Sequence, residues 1–153
     1  MDMLVERPRL TIIGTVRSSL TDRDGAPKSG SEGAPEAWIE LEPQYAPALL
    51  GLEPGQRILV ITWLHQGDRN VLQCHPRADK NRPLRGVFAT RSPDRPNPIG
   101  LHEVELREII PAENGKAIRL RVFPLEAIDG TPVLDVKNLD RLPSSETGET
   151  PAG

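Results

Sequence analysis

The sequence comprises 153 residues, 37% hydrophobic and 27% charged, which is room for one domain with a substantial core and too little for two. No apolar run approaches the roughly 20 residues that cross a membrane, and "MDMLVERPRL" sets Asp2 and Glu6 where a signal peptide carries basic residues, so the cytoplasm is the expected location. The net charge of −3 argues against a globally basic nucleic-acid binder; the single cysteine, Cys74, excludes an internal disulfide or a multi-cysteine metal site within the chain, and no metal is expected.

In chain order, "RLTIIGTVRS" (9–18) is rich in β-branched residues and "AWIELE" (37–42) alternates Trp38 against Ile39 and Leu41, so both read as strands. Between them "SLTDRDGAPKSGSEGAPE" (19–36) is dense in Gly, Pro, Ser and Asp, and a loop of that length in a compact domain is functional or disordered. One short helix is predicted from about Gln44 to Leu50, ended by Gly51. "RILVITWL" (57–64) is nearly continuously apolar and β-branched, and predicts a buried central strand. "LHEVELREII" (101–110) alternates imperfectly, whereas "KAIRLRVFPL" (116–125) sets Ile118, Leu120 and Val122 opposite Arg119 and Arg121. Asn114-Gly115 between these two predicts a hairpin over 101–124. Asp129-Gly130 with Thr131-Pro132 is a turn by composition, followed by "VLDVK" with Asp135 and Lys137 on one face and Val136 on the other. The tail "LPSSETGETPAG" (142–153) has almost nothing to bury, so 141–153 is expected to be disordered. Residues 1–140 thus form a mainly β domain with long Pro/Gly-rich loops and at most a short helix.

The segment "GVFATRSPDRPNPIG" (86–100) has too many fixed backbone angles for a loop chosen only for solubility, since each of its three prolines locks its own φ and restricts its predecessor. It also lies in the basic stretch of the chain: residues 76–100 hold Arg77, Lys80, Arg82, Arg85, Arg91 and Arg95 against Asp79 and Asp94, a local balance of +4. Guanidinium forks held by a stiff backbone suit phosphate or carboxylate. There is no phosphate-binding loop, no HExxH and no Ser-His-Asp arrangement. His65 and Gln66 end the best core strand, where a pocket recruits polar side chains, while His75 and His102 have no compelling company in the sequence.

"GVFATRSPDRPNPIGLHEVEL" (86–106) and "IDGTPVLDVK" (128–137), with "IGTVRS" (13–18), "APKSG" (26–30) and "ILVITWLHQ" (58–66), closely resemble the TsaA-like, or TrmO, family of S-adenosylmethionine-dependent tRNA methyltransferases. The resemblance covers about residues 10 to 139. It implies a small single-sheet β-barrel-like fold, a homodimer with S-adenosylmethionine near the subunit interface, and methylation of N6 of threonylcarbamoyladenosine beside the anticodon of tRNA. By the same resemblance, cofactor contacts fall on Pro27, Lys28, Ser29, His65, Gln66, Arg91, Leu101, Leu125, Glu126, Ala127 and Ile128. Arg95, Asn97, Asp129, Thr131 and Lys137 hold loops or meet RNA. The acceptor nitrogen is conjugated to the purine and a ureido carbonyl, so a general base is expected, with Asp135, His65 and Asp94 as candidates in that order. The family usually reads PRQ at 27–29 and DIKPY at 135–139, where this chain has Pro27-Lys28-Ser29 and Asp135-Val136-Lys137-Asn138-Leu139. These changes remove an arginine fork and a conjugated ring that stacks on a base. The alternatives are another nucleotide or a small metabolite as acceptor, or a protein that binds the cofactor without catalysis.

Overall fold

A computed structural model describes residues 6–27 and 29–140; Lys28 and the tail 141–153 lie outside the described residues. Six strands close into an antiparallel barrel: β1 (Gly14–Arg17), β2 (Ala37–Leu41), β3 (Arg57–Trp63), β6 (Ile99–Ile110), β7 (Ile118–Phe123) and β8 (Pro132–Asn138). Around the barrel the order is β1-β2-β7-β6-β3-β8, so the sheet has no free edge. Two short strands, β4 (Gln73–Cys74) and β5 (Arg85–Gly86), form a separate ribbon that the sequence pattern did not reveal. Among the described residues, no helix is long and apolar enough to cross a membrane.

Alternation explains most of the core. Ala37, Ile39 and Leu41 of β2, Ile58, Val60 and Thr62 of β3, and Ile118, Leu120 and Val122 of β7 are buried, and the residues between them face outward. Each large aliphatic side chain removed from water contributes about 1.5–3 kcal/mol. The 57–64 run is therefore not buried on both sides, as its continuous apolarity implied. In a closed barrel only one face meets the core, and Leu59, Ile61 and Trp63 stand half-exposed on the outer wall.

Two bulges explain the imperfect alternation further on. Pairing of β6 with β7 steps from Leu106↔Val122 to Glu108↔Arg121, so Arg107 is extra and Leu106 and Ile109 both reach the core. Pairing of β3 with β8 steps from Ile61↔Asp135 to Thr62↔Val133, skipping Leu134, which lets Val133 and Val136 share the inner side.

The hairpin joining β6 to β7 turns at Asn114 (φ 53°) and Gly115 (φ 77°), with the Lys116 N–H donating to the Glu113 carbonyl at 2.9 Å, the two-residue turn that Asn-Gly favours. The expected helix is instead a 3-10 turn over Pro43–Leu49, because Pro47 lies inside it and has no N–H for an α-helical bond. The first strand is shorter than read: Arg9–Ile13 lie outside β1, although the Ile13 N–H still donates to Val133 at 2.9 Å.

Candidate active site

The antiparallel registers bring the C-terminal ends of β1, β3 and β7 to the same end of the barrel as the N-terminal ends of β2, β6 and β8. The loops 18–36, 64–98 and 124–131 all emerge there, and every described site residue expected from the sequence except Leu101, Asp135 and Lys137 lies in them. The Pro-rich loop is held from within by one side chain. Arg95 donates from Nε to the Ser92 carbonyl at 2.7 Å and from Nη2 to the carbonyls of Val87 and of Thr90, the latter at 2.6 Å. Its guanidinium is spent on the loop itself, and the stiffness read from the prolines is reinforced by these bonds.

Arg91, four residues earlier, is exposed and donates from Nη2 to the Leu101 carbonyl at 2.7 Å, which carries its charge to the start of β6. Asp94 faces the other way: its Oδ2 accepts from Arg23 Nη2 at 2.9 Å and its Oδ1 from the Asp68 N–H at 2.8 Å. Arg23 Nη1 also donates to the Gln66 carbonyl at 2.9 Å, so one arginine joins the early loop, the turn after β3 and the Pro-rich loop. Asn97 is tied to the same turn, its Oδ1 accepting from Arg69 Nη2 at 3.1 Å. His65 and Gln66 are exposed between these ties. Pro27 and Ser29 are half-buried in the early loop, with Ser29 Oγ 2.9 Å from Ser31 Oγ.

Inside the mouth lies a polar chain. His102 is 4% exposed; its Nδ1 donates to Glu126 Oε1 at 2.6 Å and its Nε2 lies 2.7 Å from Thr62 Oγ1, itself fully buried. A carboxylate only accepts, so the Nδ1 proton is fixed, and in the neutral ring Nε2 accepts from the Thr62 hydroxyl. Burial pushes the Glu126 carboxyl up; the hydrogen bond and charge of the His102 ring, the residue's own backbone N–H and the Arg91 guanidinium more than offset it, leaving Glu126 below the usual carboxylate range. Gly100 makes room for the chain: a Cβ there would stand 2.5 Å from Thr62 Oγ1 and 2.7 Å from His102 Nε2. Across the opening, a Cβ on Gly30 would lie 3.6 Å from Glu126 Oε2, so the early loop closes over that carboxylate.

The chain matches the tRNA-methyltransferase O N-terminal domain over residues 15–140. It belongs to that family. A probable S-adenosyl-L-methionine-binding protein of Methanothermobacter thermautotrophicus is 43% identical over 129 residues, covering 84% of this chain and 88% of the relative. An S-adenosyl-L-methionine-binding protein of Archaeoglobus fulgidus is 38% identical over 125 residues, covering 82% and 84%. Crystal structures of TrmO superpose with TM-scores of 0.66 (Pseudomonas aeruginosa) and 0.67, both at 29% identity. The match covers 94% and 96% of this chain but 60% and 64% of those two, so the chain spans less than two thirds of their length.

Within this TrmO-type domain, the expected positions separate into four groups. Arg91, Glu126 and the Leu101 carbonyl converge at the mouth, with Gln66 and Asp94 bound in beside them through Arg23. Leu125, Ala127 and Ile128 are core side chains, so only their backbone can meet a ligand. Asp129 and Thr131 build the turn before β8: Asp129 Oδ1 accepts from the Ser18 N–H at 3.0 Å, and the Thr131 hydroxyl donates to the Ile128 carbonyl at 2.7 Å. Asp135 and Lys137 stand apart on the outer wall, where Asp135 pairs across β3 with Ile61, whose other neighbour is Leu101. Among the described residues, no three His, Cys, Asp or Glu side chains gather as metal ligands would.

His102, Thr62 and Arg23 were not among the sequence candidates. His102 does have company, contrary to expectation, and one indication lay in the pattern: it shares its face of β6 with Gly100, Val104 and Leu106, an inward position for a polar residue. Arg23 gave none, being one charge in a loop full of them.

Proposed function

We propose that this chain binds S-adenosylmethionine at the barrel mouth and transfers its methyl group to N6 of threonylcarbamoyladenosine next to the anticodon of tRNA, acting in the cytoplasm as a homodimer. The observation that carries the reading is the placement of Arg91 beside the ionised Glu126, under a loop fixed by Arg95, in a domain of the TrmO family. The donor set fits the ligand: a guanidinium complements the cofactor's carboxylate, the other oxygen of Glu126 complements its ammonium or hydroxyl groups, and the Ala127 backbone, between a Leu125 N–H bonded to the Pro35 carbonyl and an Ile128 carbonyl bonded to Thr131, can meet the adenine.

When bound, S-adenosylmethionine supplies an electrophilic methyl carbon on a cationic sulfur. Arg91 and Glu126 would hold the cofactor so that its methyl group could pass to N6, whose proton would go to a base on the protein. The work of the chain is alignment and proton removal. Asp135 is the first candidate base, exposed on the outer wall in the same row as Ile61 and Leu101. His65 is the second. Both oxygens of Asp94 already accept hydrogen bonds, which favours a scaffolding role for it. Ile99 and Leu101 are exposed beside the half-buried Ile61 and Trp63, an apolar strip suited to the second subunit. A second reading keeps the cofactor and changes the acceptor to another nucleotide or a small metabolite, favoured by Leu139 where the family has a ring.

Calorimetric titration of S-adenosylmethionine tests the site: micromolar binding, about −8 kcal/mol, that is lost in Arg91→Ala supports it. No binding to the folded protein at millimolar cofactor refutes it. With binding established, methyl transfer to modified tRNA, reduced by Asp135→Asn in its pH–rate profile, separates the tRNA reading from transfer to another acceptor and from binding alone. Light scattering of the wild type tests the dimer.

A further inference from the structure

The chain has five aromatic side chains, and three carry an arginine on one face: Arg69 over Trp63, Arg107 over Phe123 and Arg119 over Trp38, at 4.2–5.1 Å from the ring centres. Tyr45 is half-buried. Phe88 is different, being 86% exposed and without such a partner among the described residues. A short 3-10 turn (Val87–Ala89) presents it while Val87, its neighbour, is buried and anchors the turn. Val87 is fixed twice more, its N–H donating to the Leu72 carbonyl at 2.9 Å and its carbonyl accepting from Arg95. An exposed ring on a fixed backbone loses little freedom when something stacks on it.

Its surroundings are basic. Residues 72–88, which contain the β4–β5 ribbon, hold Arg77, Lys80, Arg82 and Arg85 against one carboxylate, Asp79. Arg77 pairs with Glu32 and Arg82 with Asp79 at 3.7 Å, whereas Arg85 and Lys80 make no ion pair among the described residues. Leu72 and Leu84 add exposed apolar surface, at 65% and 54%. The ribbon adjoins the site at both ends: Arg77 reaches the early loop that closes over Glu126, and Val87 opens the loop that carries Arg91.

Resting on the tRNA reading above, we propose that this ribbon docks single-stranded nucleotides of the RNA substrate, with Phe88 stacking on a base and Arg85 meeting the adjacent phosphate. Aromatic rings interleaved with cations form sequence-tolerant platforms for unpaired nucleotides. A second copy of the chain fits the patch less well, because a two-fold interface sets a surface against itself and four cations would face their own images.

The test is fluorescence anisotropy with a labelled anticodon stem-loop transcript, at several salt concentrations, on the wild type and on Phe88→Ala, Phe88→Leu, Phe88→Trp and Arg85→Gln. Stacking predicts that Phe88→Ala weakens binding about 5- to 100-fold, that leucine does not restore it and tryptophan does. Arg85→Gln lowers the slope of log affinity against log salt by about 0.7–0.9. Calorimetric cofactor affinity and the oligomeric state stay at wild-type values throughout. Equal RNA affinity for the alanine and wild-type proteins overturns the proposal while leaving the tRNA reading intact. Full rescue by leucine, loss of cofactor binding or a change of oligomeric state assigns Phe88 to another contact and also overturns it. Failure of the wild type to bind at low salt either the transcript or the same stem-loop carrying threonylcarbamoyladenosine removes both readings.

Discussion

Replacing His102 with leucine tests the polar chain at the barrel mouth with little change in volume, because leucine fills the space and forms no hydrogen bond. The substitution strips Thr62 Oγ1 of a partner at 2.7 Å and Glu126 Oε1 of one at 2.6 Å. An unsatisfied buried hydroxyl costs about 1–3 kcal/mol, and a lost bond to a charged group about 1.5–3 kcal/mol. Glu126 is 18% exposed, so water recovers part of the second term, and the expected destabilisation is about 3 kcal/mol. In a chain of this length that lowers the thermal midpoint by about 6–12 °C. His102→Gln, whose amide restores one of the two bonds, should lose about half as much.

Urea unfolding across pH supplies the assay and a second readout. The folded-state pKa of Glu126 is depressed, so its stabilisation is present above the unfolded value, about 4.3, and disappears as pH falls through the folded one. The wild type should therefore lose stability on acidification from about pH 5 downward, and Glu126→Gln should flatten that limb. His102→Leu should flatten it too, since the ring is what holds the carboxyl down. Wild-type urea midpoints for His102→Leu at pH 7, with an unchanged acid limb in both variants, would refute the reasoning.

Gly100→Ala forces a methyl group to within 2.5 Å of Thr62 Oγ1, and should cost about 2–3 kcal/mol in urea unfolding despite adding one carbon. Gly67→Ala meets the Pro93 carbonyl at 2.3 Å and should be similarly destabilising, whereas Gly25→Ala, with nothing within 4 Å, should be near neutral in the same assay. Arg95→Lys keeps the charge but not the fork that binds the carbonyls of Val87, Thr90 and Ser92; it should lose about 2 kcal/mol and speed amide exchange over 87–95. The same variant should weaken S-adenosylmethionine binding about tenfold, some 1.4 kcal/mol, measured by calorimetry.

The strands were legible where two-residue alternation is clean, as in Ile118, Leu120 and Val122, and the Asn114-Gly115 turn was legible because two successive positive φ angles select that dipeptide. Alternation failed at Arg107 and Leu134, where one extra residue flips the parity of everything after it and no residue type marks the place. The 43–49 segment misled because its spacing suits a helix, while Pro47 allows only the tighter turn. The β4–β5 ribbon, two residues per strand, is below any period that a pattern can express.

The site follows the same physical division. Its rigid elements were visible one by one, in the prolines of 93, 96 and 98 and in Arg91. Their meeting depended on closure of the barrel, which sets Thr62 against a histidine 40 positions later and that histidine against a carboxylate 24 positions beyond. Strand parity says that His102 points inward and cannot say what it meets, because the partners come from a neighbouring strand and from the loop after β7. A buried imidazole must have its hydrogen bonds satisfied, so the inward position of His102 required an acceptor for its N–H somewhere at this end of the barrel. Of the carboxylates expected at the site from the sequence and placed at this end, Asp94 is held by Arg23 and Asp129 by the Ser18 N–H, while Glu126 accepts the hydrogen bond of the His102 N–H and turns its other oxygen toward the early loop.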